Sequence, residues 1–157
     1  MRVLGIDPGT AIVGFSLLEK SGSNINPVSF GHITTLKTES KENRLLEIYN
    51  NICEIIKKYS PQELAIEKLF FQRNITTAMS VSEARGVIIL AAVQSNLKIF
   101  EYTPLQIKHA LTGYGKADKK DVQQMVKAVL NLENTPKPDD VADAIAVALC
   151  HINFLKI

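Results

Sequence analysis

Apolar residues along the chain recur with two periods, and the switches between them outline the elements. Val3-Leu4-Gly5-Ile6 is a short apolar run ending on Asp7, and Ala11 to Leu18 is a second. Between them Pro8-Gly9 predicts a type II turn, with Pro8 at its second position and Gly9 supplying a positive φ at the third. A polar loop over Ser21–Asn26 and a third strand over Val28–Leu36 follow. The period then changes. From Glu42 to Tyr59, Leu45, Ile48, Tyr49, Ile52, Cys53, Ile55, Ile56 and Tyr59 share one helical face, and Ser60-Pro61 ends the helix.

Leu64-Ala65-Ile66-Glu67 is a short strand that again closes on an acid. Ile75 to Ser95 reads as a helix that is almost wholly apolar after Arg85, so it is either deeply buried or shared with a partner chain. Lys98–Tyr102 is a further strand. Thr103-Pro104 caps and starts a helix that ends near Gly113, and Asp118 caps another to about Leu130. These two short helices superficially resemble a helix-turn-helix, but both are amphipathic and suit covering a sheet better. Pro138 opens the last helix, to about Phe154. The order predicts an α/β fold: a mixed five-stranded sheet flanked by helices, in one domain over residues 1–157.

Composition changes this picture little. A chain of 157 residues with 46% hydrophobic content supports a core without staples. Cys53 and Cys150 lack zinc-like spacing or a disulfide framework, which points to a reducing, cytoplasmic compartment. Strand character directly after Met1 leaves no leader segment to expect, and the wholly apolar stretch Gly86–Val93 is too short to span a membrane. A net charge of +2 says less than where the charges lie.

The acids carry the chemistry. Asp7 and Glu67 each end an apolar strand, where a carboxylate is partly desolvated. Asp140 and Asp143 share a face of the last helix. The helix dipole accounts for Asp139 and Asp140 in its first turn but poorly for Asp143, which lies in an Ala-rich, apolar stretch. Carboxylates gathered in such surroundings repel one another and neutralise unless a hard cation binds them. Acids of this kind can hold two Mg²⁺ ions about 4 Å apart for phosphodiester cleavage.

Gly5-Ile6-Asp7-Pro8-Gly9-Thr10, Ala65-Ile66-Glu67, Glu83-Ala84-Arg85-Gly86 and Asp140-Val141-Ala142-Asp143-Ala144 together resemble the RuvC family of Holliday junction resolvases, in order and over nearly the whole chain. The resemblance implies an RNase H-like fold and a homodimer. It also implies Mg²⁺-dependent paired, symmetric nicking of four-way DNA junctions in recombination and repair, with Mn²⁺ able to substitute and a RuvA–RuvB branch-migration complex as partner. It assigns Asp7, Glu67, Asp140 and Asp143 as catalytic metal ligands and leaves Asp139 as an extra acid. Lys108 and Lys119 match family basic positions near the scissile phosphate, and Phe70 matches the residue that stacks on an unpaired base at the junction centre.

Basic residues complete the expected DNA surface. Lys108, Lys116, Lys119 and Lys120 fall in one short window, and Lys68 and Arg73 flank Glu67. Such a patch neutralises phosphates without reading sequence. The opening Gly-Ile-Asp-Pro-Gly-Thr also resembles the phosphate loop of actin-like ATPases, which need a second domain that 157 residues leave no room for. A non-catalytic junction binder or an RNA-processing relative is the remaining alternative. Retention of all the matched acids argues against the first and the basic window against the second.

Overall fold

The computed structural model describes residues 1–69 and 75–155. Strands β1 (Arg2–Asp7), β2 (Ile12–Ser21) and β3 (Asn24–Thr34) form a meander, followed by α1 (Lys41–Tyr59), β4 (Glu63–Glu67), α2 (Ile75–Gln94) and β5 (Lys98–Tyr102). Helices α3 (Pro104–Thr112), α4 (Lys119–Val129) and α5 (Asp139–Phe154) complete the chain. The sheet is five-stranded and mixed, in the order β3-β2-β1-β4-β5, with β1, β4 and β5 parallel to one another.

Two details of the meander differ from expectation. The polar stretch after Ser21 is not a loop. Left-handed Gly22 (φ 59°) makes a tight reversal, and the strands pair out to Ser21 opposite Asn24. Backbone pairing tolerates the polar side chains there because β3 is an edge strand, and the same position admits Pro27, which cannot donate to a ladder. Second, Gly9 does not have a positive φ. It is required for a different reason: a Cβ there would lie 2.3 Å from the Ile12 carbonyl oxygen, so the link between β1 and β2 folds too tightly for a side chain.

Period-two alternation sorts the sheet's side chains into two cores. Leu4, Ile6, Leu17, Leu64 and Ile66 face α1 and α2, while Val3, Leu18 and Ala65 face α5, backed by α3 and α4. Ile107, Leu111, Val122 and Val126 bury the inner faces of α3 and α4 in that second core, so these helices serve as cover.

Helix α5 fits the sheet because glycines let it in. Added Cβ atoms at Gly5 and Gly14 would stand 2.3 Å and 1.9 Å from the carbonyl oxygens of Ala144 and Asp140. The buried Ser16 hydroxyl donates to the Ala144 carbonyl at 3.0 Å. Helix α2 is long and apolar enough to cross a membrane, with a mean hydropathy of 1.3. Yet Ala84, Ile88, Ala91 and Ala92 are core residues, and its Glu83 and Arg85 are ion-paired with Lys41 and Glu101. It packs here as a helix of the sheet's outer layer.

Candidate metal and nucleic-acid site

Alternation also decides which way the acids point. Val3, Gly5 and Asp7 share one face of β1, and Glu63, Ala65 and Glu67 share the same face of β4. Because β1 and β4 are parallel and pair up to Ile6 opposite Ile66, Asp7 and Glu67 emerge side by side at the strand ends. Helix α5 lies over that face. Glu63 and Glu67 are separated by ~13 Å of strand, and Asp143 and His151 by ~12 Å of helix. The two rulers match. At one end Glu67 faces the charge of Asp143, and at the other the Glu63 carboxylate meets His151 Nε2 at 2.7 Å.

Electrostatics follow from this placement. Burial, and then the charges of Asp143, Glu67 and Asp140, push the Asp7 carboxyl from 3.8 up to about 8, with Lys119 opposing. Glu67 and Asp143 are also raised, each first by burial. Asp143 adds to the rise of Glu67, which Lys108 and Lys119 oppose. Among the described residues, no three His, Cys, Asp or Glu side chains stand close enough to form a ready coordination shell. Instead Lys119 Nζ lies 3.1 Å from Asp143 Oδ2 and 3.4 Å from Asp139 Oδ2. Burial disfavours that ammonium, but its hydrogen bond and charge interaction with Asp143, with help from Asp139, raise its pKa on balance. The donor set is all carboxylate, partly desolvated, and has more negative charge than one lysine offsets. It fits a hard divalent cation by the chemistry of its oxygens.

Asp139 behaves differently. Half-exposed, it accepts a 2.7 Å hydrogen bond from Lys137, and that bond, aided by Lys119, holds its carboxyl below the usual range. Its charge is already answered at the surface.

The basic window splits on folding. Lys108 on α3 and Lys119 at the start of α4 line a cavity of about 200 Å³ with Glu67 and Asp143. Lys116 and Lys120 are exposed, outside that lining. Lys68 lines a second opening of about 410 Å³ with Asp7, Pro8, Glu67 and Arg85. Phe70 and Arg73 lie outside the described residues.

Sequence reasoning missed a buried polar chain: Glu63 to His151 Nε2, and His151 Nδ1 to Tyr102 Oη, both at 2.7 Å. His151 packs against Phe100 with ring centroids 4.4 Å apart and the rings tilted by 34°, and burial raises the Tyr102 hydroxyl to about 12. A histidine in an apolar helix was the available signal. Its partner on β4 could be found only from the packing. Arg85 is the other omission. The motif around it is visible in the sequence, but its hydrogen bond to the Glu67 carbonyl oxygen is not.

Comparison with known proteins shows the family. A profile of the family described as crossover junction endodeoxyribonuclease RuvC matches residues 3–151. Crossover junction endodeoxyribonuclease RuvC of Caldicellulosiruptor saccharolyticus is 55% identical over 153 residues, which cover 97% of this chain and 92% of that one. The protein of the same name from Halothermothrix orenii is 52% identical over 157 residues, covering 100% of this chain and 95% of the relative. Among solved structures, Thermus thermophilus RuvC in complex with a Holliday junction substrate superimposes with a TM-score of 0.94 at 32% identity, covering 99% of this chain and 95% of that one.

Proposed function

The chain belongs to the RuvC family of crossover junction endodeoxyribonucleases, with its RNase H-like fold, and from that premise we propose that Asp7, Glu67, Asp140 and Asp143 are its catalytic, metal-binding carboxylates. The activity itself is the family's: endonucleolytic resolution of Holliday junctions. The observation that carries the residue assignment is the convergence of carboxylates from three separate elements, in which the charges of Asp143, Glu67 and Asp140 all bear on the buried Asp7. Such an arrangement is destabilising without a cation and is the expected form of a metal site.

The family's nucleases are metal-dependent, and we assign the metal here as Mg²⁺, two ions per site, with Mn²⁺ able to substitute. When bound, the cations supply charge neutralisation at the scissile phosphate and a more acidic attacking water. The chain's own residues do the rest. The strand ends of β1 and β4 hold Asp7 and Glu67 on rigid backbone. Lys119, paired here with Asp143, and Lys108, lining the same cavity, are the cations that would meet the substrate phosphate once metal neutralised the carboxylates. Lys116 and Lys120 engage flanking phosphates, with Arg73 and the stacking residue Phe70 completing the DNA surface.

A junction needs two cuts of like polarity, and a single 157-residue domain with one acid cluster makes one. We therefore assign a two-fold homodimer through α2. Its Ile75, Met79, Leu90 and Val93 are 70%, 58%, 50% and 56% exposed, and Gly86 opens onto free space. Family membership supports the reading of cytoplasmic action alongside a RuvA–RuvB branch-migration complex.

The test is incubation with a synthetic four-way junction, a linear duplex and a structured RNA, each with Mg²⁺ or EDTA. Paired, symmetric nicks in the junction alone, and only with metal, are expected. Preferential cutting of the RNA, or junction binding without cleavage, would select one of the alternatives.

A further inference from the structure

The sequence motif Glu83-Ala84-Arg85-Gly86 has no part in the chemistry described so far, yet Arg85 reaches the catalytic strand. Its Nε donates to the main-chain carbonyl oxygen of Glu67 at 3.2 Å. The N–H of Lys68, in the same peptide unit, donates to the Tyr102 carbonyl at 2.8 Å. Carbonyl and N–H point to opposite sides of a trans peptide, so the Glu67–Lys68 unit is gripped from both sides. The other arm of the guanidinium is occupied: Nη2 pairs with Glu101 on β5, and the Arg85 side chain is only 17% exposed.

Resting on the acid assignment above, we propose that Arg85 is a positioning residue for the reaction: seated by Glu101, it fixes the peptide that aims the Glu67 carboxylate. Two observations separate this from a DNA contact or a charge effect. The guanidinium's charge is already paired with Glu101, which leaves it little to offer a phosphate. The contact on Glu67 is with its main-chain carbonyl oxygen and not with its carboxylate. The grip is therefore mechanical, through the main chain. A planar fork serves two acceptors on two strands at once, which an ammonium point charge cannot do equally well. The effect belongs to the class of outer-shell partners that orient metal ligands, whose loss typically lowers activity or metal affinity by about 10–100-fold.

The experiment compares the full-length wild type with Arg85→Gln, Arg85→Lys and Glu101→Gln. Four quantities are measured: cleavage rate at saturating junction, junction affinity in EDTA, Mn²⁺ affinity without DNA, and amide exchange along β4. For Arg85→Gln we expect a cleavage rate lower by about tenfold or more and Mn²⁺ binding weakened several-fold, with junction affinity within about twofold of wild type. Exchange should quicken at the Lys68 amide and stay unchanged at Ala65 and Ile66. Arg85→Lys should recover part of each loss, and Glu101→Gln should fall between. If Arg85→Gln does not fold, the other two variants carry the same signature.

Weakened junction affinity at an unchanged saturated rate would make Arg85 a phosphate ligand and overturn the proposal. Unchanged values throughout, or uniform losses that track only thermal stability, would overturn it as well. Wild-type cleavage in the same series tests the nuclease assignment independently. The Mn²⁺ and exchange readouts test the positioning role whichever substrate is cut.

Discussion

Helices α5 and α2 are both apolar on nearly every side, and the fold treats them in opposite ways. In α5, Val141, Ala142 and every residue from Ala144 to Ile152 is buried, because the sheet lies under the helix and α3 and α4 lie over it. In α2 only Ala78, Ala84, Ile88, Ala91 and Ala92 are buried, against the sheet and α1, while larger residues stand in the open. An apolar helix closed on all sides is a rigid platform. One open on a side has surface to spend on another chain. Accordingly Asp140 and Asp143 sit in the first two turns of α5, beside Asp7 and Glu67 at the strand ends, and the interface is assigned to α2.

The largest effects should come from the acid end of α5 and its partners. Asp143→Asn, Asp140→Asn, Asp7→Asn and Glu67→Gln are each expected to lower junction cleavage by more than the ~10²-fold typical of outer-shell losses, with binding retained. Asp139→Asn, whose charge is met by Lys137 at the surface, should change the rate by less than about threefold. Gel-based cleavage and shift assays decide it. A dead Asp139→Asn beside an active Asp140→Asn would reverse the ligand assignment.

Next comes the open face of α2. Leu90→Glu with Val93→Glu should leave the monomer folded and turn a sedimenting dimer into a monomer, with paired cuts replaced by isolated nicks. The same charges in α5, for example at Ile145 or Leu149, should prevent folding altogether. A wild type that sediments as a monomer at micromolar concentration yet makes paired cuts would erase the functional side of the comparison.

A third test uses pH. Asp7 titrates at 3.8 when unperturbed and at about 8 in the folded, metal-free protein. Between those values the folded state binds the extra proton, so metal-free stability should fall as pH rises from about 4 to 8, by a few kcal/mol at most. Adding Mg²⁺ near pH 8 should restore it, since the cation favours the ionised cluster. Melting curves in EDTA and in Mg²⁺ at pH 5 and pH 8 measure this. A metal-free profile that is flat or rises over that range would remove the carboxyl coupling.

The smallest effects, and the most direct contrast, come from glycines. Gly14→Ala sets a methyl against the Asp140 backbone and should destabilise by about 1–3 kcal/mol, with loss of activity as the start of α5 shifts. Gly86→Ala meets nothing within 4 Å and replaces a poor helix former. It should stabilise the monomer by up to about 0.8–1 kcal/mol while weakening a dimer in which α2 approaches its copy closely. Thermal melts and sedimentation separate the two.

Much of the fold was legible in the sequence because its signals are local. Short runs of apolar and aromatic residues mark β1, β2 and β5, a one-sided apolar stripe marks α1, and Thr103 and Asp118 do cap α3 and α4 as their side chains predict. The acids at strand ends were visible too, since a carboxylate terminating an apolar run is anomalous within a few residues. What the sequence could not contain is every relation between distant elements. It could not show that β4 lies in register beside β1, that Glu63 and Glu67 meet opposite ends of α5, or that Lys119 lodges between Asp139 and Asp143. Nor could it show that Gly9 is needed for a close contact, and not for its φ. Periodicity reports that a side chain seeks cover, and only packing decides what covers it. That is why two helices of similar apolarity became, in one case, a covered platform carrying Asp140 and Asp143 and, in the other, an open face.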